Sequence, residues 1–74
     1  MTDGASPRPY RLWDSREKAL LRWRYYSDSK RAHMGALIEA RWSPIGTTIE
    51  VINHDTGHLL GQYTRRVHSV DFRS

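Results

Sequence analysis

The sequence predicts an α+β domain, with one N-terminal helix packed on a small antiparallel sheet of three to four strands. Three observations carry this. Asp14-Ser15-Arg16-Glu17 has the spacing of a helix capping box. Thr47-Thr48-Ile49-Glu50-Val51-Ile52 is β-branched at every position but Glu50. Asp55-Thr56-Gly57 then supplies a tight turn with glycine in its left-handed position, ahead of a second apolar run.

In chain order, residues 1–12 carry Gly4, Pro7 and Pro9 without periodicity and read as a disordered basic arm, leaving residues 13–74 as a single small domain. Asp14 as N-cap and Glu17 at the third helical position start the predicted helix. Ala19, Leu20, Trp23 and Tyr26 then fall on one face as core, and Lys18, Arg22, Tyr25 and Ser29 form an exposed stripe. Ser27-Asp28-Ser29 would fray that helix.

Residues 36–42 alternate, with Ala36, Ile38, Ala40 and Trp42 on one side. That is the period of a half-buried strand. A helix over 29–42 is the rival, favoured by Ala, Leu, Glu and Arg and weakened by Gly35. Ser43-Pro44-Ile45-Gly46 is a turn, 47–52 a strand and 59–66 its return strand. Gly61 marks a bulge or a close approach, and 67–72 makes a further short strand.

Composition narrows function. The chain has 74 residues and no cysteine, which excludes a disulfide framework and a thiolate zinc site and suits a cytoplasmic protein. No apolar run approaches the roughly 18 residues of a membrane span, and the N-terminus lacks the apolar core of a secretory signal. Net charge is +4 and unevenly placed. Eight Lys/Arg face three acids between Arg8 and Arg31, whereas four Arg and four acids cancel between Ala32 and Ser74. Such asymmetry points to an anionic partner, although a solvated surface explains it equally well.

The stretches Arg31-Ala32-His33-Met34-Gly35, Ala36 to Arg41, Thr47-Thr48-Ile49-Glu50-Val51, Asp55-Thr56-Gly57-His58-Leu59-Leu60 and Arg65-Arg66 resemble the small β-module that follows the integrase-like catalytic core in bacterial insertion-sequence transposases and integrases. The resemblance spans residues 31–70. It implies an SH3-like small barrel that accompanies DNA binding and assembly. The family's catalytic core, with its three metal-binding carboxylates, has no counterpart here, so strand transfer does not carry over.

No catalytic constellation is visible: there is no cysteine and no Gly-x-Ser-x-Gly elbow. His54 and His58, with Asp55, could approach across a hairpin as metal ligands, but ordinary exposed turn residues explain them better. Glu39 and Glu50 as an acid–base pair are better explained as outward-facing strand residues. The sequence therefore points to a non-enzyme with no catalytic residues, no metal and no cofactor.

The favoured partner is nucleic acid, DNA ahead of RNA, bound by a small accessory protein of the kind phages and mobile elements encode. Arg8, Arg11, Lys18, Arg22, Arg65 and Arg66 are the candidate phosphate contacts and Tyr25 the candidate stacking ring. Trp23, Tyr26 and Trp42 are assigned to the core. The alternative is a protein-interaction module, such as a phage-encoded inhibitor or adaptor, offering residues 67–72 or 36–42 as an edge strand to a host protein.

Overall fold

The computed structural model describes residues 7–74. The elements are β1 (Tyr10–Asp14), β2 (Ala19–Tyr26), α1 (Ser29–Arg41), β3 (Thr48–Asn53), β4 (Leu59–Arg65) and β5 (Val70–Arg73). They form one five-stranded sheet in the order β2-β1-β3-β4-β5, every neighbouring pair antiparallel. The α+β class holds. The sheet has five strands rather than three or four, it is open with β2 and β5 as edges, and its helix lies between β2 and β3.

The N-terminal helix is replaced by a hairpin. Asp14 does what the capping pattern promised, accepting through Oδ1 from the amides of Arg16 (2.8 Å) and Glu17 (3.4 Å). The same chemistry also closes an Asx-type turn. Lys18, at φ +54°, turns the chain back, and its amide donates to the Asp14 carbonyl. The aromatic-rich run Leu20-Leu21-Arg22-Trp23-Arg24-Tyr25-Tyr26 then pairs with β1 as a strand.

Part of the expected arm is strand. Tyr10, Arg11 and Leu12 belong to β1, between β2 and β3, because Leu12 is an apolar residue that the sheet buries completely. Residues 1–6 of that arm lie outside the described residues.

The second correction is α1, where the rival helix displaces the expected strand over 36–42. Asp28 caps it, accepting from the Lys30 amide at 3.1 Å. Ala32, Ala36 and Ala40 recur at steps of four and are all fully buried. Ala36 and Ala40 satisfy both an alternating and a helical pattern. Ala32, again four residues away, fits both as well; the exposure of Ile38, which alternation would bury between Ala36 and Ala40, fits only the helix. Small side chains let the helix lie close to β1 and β3. Their core partners are Leu12, Ile49 and Val51, flanked by Tyr10, Leu21, Tyr26, Leu60, Tyr63 and Val70. Four residues assigned to the core are outside it: Ala19 is exposed, Leu20 is only half-buried and apart from the core, Trp23 is 84% exposed and Trp42 82%.

Gly35 is tolerated in mid-helix because the Tyr26 hydroxyl occupies the space its Cβ would need. Gly35→Ala is therefore expected to lower the melting temperature, despite alanine's helix advantage of about 1 kcal/mol. The same change in a Tyr26→Ala background is expected to raise it, and a double-mutant cycle by thermal melting reads the coupling.

The β3–β4 hairpin matches its pattern closely. Asn53 Oδ1 accepts from the Asp55 and Thr56 amides, and Gly57 sits at φ +80°. Val51 faces Gly61 and Ile52 faces Leu59, so Leu60 is the extra residue of a bulge. A Cβ on Gly61 would stand 2.8 Å from Phe72 Cε1 and 2.9 Å from His33 Cε1. Gly61→Ala is expected to destabilise the fold by about 1–3 kcal/mol, measured as a lower urea midpoint with unchanged slope. His33 Nδ1 lies 2.8 Å from the Tyr63 hydroxyl, and burial pushes the Tyr63 phenol above its ordinary pKa. No helix among the described residues is long and apolar enough to cross a membrane.

Candidate nucleic-acid interface

Among the described residues, strand alternation and register leave one sheet face without a covering helix. Leu12, Ile49, Val51 and Tyr63 point to α1, so Arg11, Trp13, Glu50, Ile52 and Gln62 point away from it. Arg11 and Tyr25 are cross-strand partners on that open face, at the end of the β1–β2 ribbon away from its turn. The Arg11 guanidinium carbon lies 4.2 Å from the centroid of the Tyr25 ring, a cation–π stack. Among the described residues its buried Nε meets no hydrogen-bond acceptor. Buried polar atoms are almost always paired, so this one marks a place short of an acceptor.

Next to this pair β2 bulges. Between the Arg11–Tyr25 and Trp13–Leu20 pairs, Leu12 alone faces residues 21–24. The bulge holds Trp23 at φ +67°, a left-handed conformation that a bulky side chain adopts only under strain. The indole is thereby held out in solvent. Arg22, Trp23 and Tyr25 line one surface hollow, and Arg8, Tyr25, Tyr26, Ser27 and Arg31 line the next. Tyr25 belongs to both, so a continuous strip runs from Arg22 through Trp23 and Tyr25 to Arg8 and Arg31.

The neighbouring Arg24 is engaged elsewhere, in an ion pair with Glu39 of α1. Burial alone would lower its pKa, but the Glu39 carboxylate and the Tyr26 hydroxyl hold it above its ordinary value. Asp28, the nearest acid in sequence to the strip, accepts from the Lys30 amide as the cap of α1.

Of the sequence-predicted residues, Arg8, Arg11, Arg22 and Tyr25 come together. Lys18 lies in the β1–β2 turn at the other end of the ribbon, and Arg65 ends β4. Arg66 pairs through Nε with Asp71 Oδ2 at 2.8 Å. Trp23 and Arg31 were missed as site residues. Helical periodicity placed Trp23 in the core, and Arg31 joins only because α1 starts beside the end of β2. The Arg-Trp-Arg alternation over 22–24 was the available signal, and it becomes informative once the segment is a strand.

Of the two expected edge strands, 36–42 is helix and offers no edge. The 67–72 stretch overlaps β5, which is a true edge. Among the described residues no three acid or histidine side chains gather as a metal site, and His54 and His58 are exposed in the β3–β4 connection.

No family model, curated protein or solved structure matches this chain.

Proposed function

We propose that this protein is a small, non-catalytic nucleic-acid-binding accessory protein that takes a single strand along the strip from Arg22 to Arg31. The observation that carries the reading is Trp23, held out to solvent on a strained backbone beside the Arg11–Tyr25 stack. Strain of this kind gathers where a side chain is presented to a ligand. Exposed rings flanked by guanidinium groups stack unpaired bases, whereas paired bases offer no open ring face. Arg8, Arg22 and Arg31 border the two rings and would meet the phosphates, with Arg11 completing the set. DNA remains the first probe, in keeping with the transposase-module resemblance of residues 31–70.

Fluorescence anisotropy with a labelled single-stranded oligonucleotide across a salt series tests this. Four phosphate contacts give a slope of log affinity against log salt near −3. Arg22→Ala and Arg31→Ala are each expected to make that slope shallower by about 0.7. Tyr25→Ala is expected to lower affinity with the slope unchanged. No binding at low salt, or equal effects from these variants and Arg73→Ala, rejects the reading. The rival reading, an adaptor that adds β5 to a partner's sheet, would instead give a stoichiometric protein partner that persists after nuclease treatment.

A further inference from the structure

We propose that the corner where α1 meets the β4–β5 connection is a separate anion site, built for a phosphate monoester. Its walls come from three elements. Leu37 and Arg41 stand one turn apart on α1, Arg65 ends β4, and His68, Ser69 and Val70 lead into and begin β5. These six residues line one hollow. Arg65 and Val70 are cross-strand partners, and the Arg66 amide donates to the Ser69 carbonyl at 2.8 Å, so the loop is held closed.

Charge is what makes this hollow unusual. Among the described residues no carboxylate lines it. Asp71, the acid next to it in sequence, is taken by Arg66, and Glu39 of α1 is taken by Arg24. Among the described residues neither Arg41 nor Arg65 has an acidic partner. Two guanidinium groups around one hollow repel each other unless an anion lies between them. The planar fork of arginine matches a phosphate two oxygens at a time. The Ser69 hydroxyl and a His68 ring nitrogen add two further polar groups, and Leu37 with Val70 gives an apolar wall for the organic part. A monoester presents three terminal oxygens and one departing chain, which suits a corner. A diester has two free oxygens and two chains, which suit an open strip such as that along β2.

The site differs from the strip in position and chemistry, so it stands or falls without the reading above. The ligand could be the terminal phosphate of a nucleic-acid strand or a free phosphorylated small molecule. The test is an amide-shift NMR titration of the full chain with phenyl phosphate. Saturable shifts are expected at Leu37, Ser69 and Val70. Arg41→Gln and Arg65→Gln should each weaken binding about tenfold to hundredfold, while Arg73→Gln, in β5 beside Gln62 and away from the hollow, should change it little. Arg41 is exposed, so its variant is expected to keep the wild-type spectrum elsewhere.

A second arm compares a 5′-phosphorylated with a 5′-hydroxyl oligonucleotide. A preference for the phosphorylated strand that disappears in Arg41→Gln assigns the site to strand ends. Saturable phenyl phosphate binding without that preference assigns it to small ligands. Absence of saturation, shifts centred on Arg11 and Tyr25, or equal losses in Arg41→Gln and Arg73→Gln overturn the proposal.

Discussion

Leu12→Ala is expected to cost about 2–5 kcal/mol and leave the chain largely unfolded at room temperature. Leu12 is fully buried in β1, the strand between β2 and β3, and it faces Val51 across the ladder. The residues above it on α1 are alanines, too small to close the void. A core of this size rarely supplies more than about 3–5 kcal/mol, so one such cavity removes most of the margin. Urea unfolding followed by far-ultraviolet circular dichroism measures it. Leu12→Met, which nearly conserves volume, should cost less than about 1.5 kcal/mol. A wild-type melting curve for Leu12→Ala would mean that the Leu12 side chain contributes nothing to the core.

Trp23→Gly is expected to separate stability from binding. Glycine adopts φ +67° without steric cost. The indole is mostly in solvent, so little packing is lost with it. Relief of backbone strain, of order 1–3 kcal/mol, should outweigh the added flexibility of glycine in a strand, about 0.5–1 kcal/mol. The melting temperature should therefore rise by a few degrees. Removing a stacking ring should at the same time weaken single-strand affinity by about 1–3 kcal/mol, roughly fivefold to 150-fold. Trp23→Phe should retain most of the affinity without the gain in stability. A destabilised Trp23→Gly would show that the indole serves the fold. A stabilised variant that binds as wild type would remove Trp23 from the interface.

These outcomes bear on where the sequence was legible. The β3–β4 hairpin was readable because its signals are local. Asn53 and Gly57 specify the turn through their own side chain and φ, and the β-branched run beside them has one favourable backbone state. Gly61 was readable as a bulge or close approach for the same reason. At Asp14 the signal was real but degenerate. A carboxylate accepting from the second and third amides after it opens a helix or closes a turn with equal ease, and only pairing with β3 makes the turn the better choice. Ala36 and Ala40 were degenerate in another way, since a step of four satisfies both periods. Ala32, a further step of four away, leaves the tie unbroken; only the tertiary structure breaks it, burying all three on a helix face above Leu12, Ile49 and Val51 while Ile38 stays exposed.

Charge behaved similarly. Summation along the chain made residues 32–74 neutral. In space Glu39 is used by Arg24 and Asp71 by Arg66, which leaves Arg41 and Arg65 together without an acid among the described residues. Class, turns and overall positive charge follow from short-range preferences that each residue expresses in any context. The central place of β1, the exposure of Trp23 and the grouping of arginines follow from contacts between distant segments. Those contacts depend on which strands share a ladder, and a periodicity read one segment at a time does not contain that information.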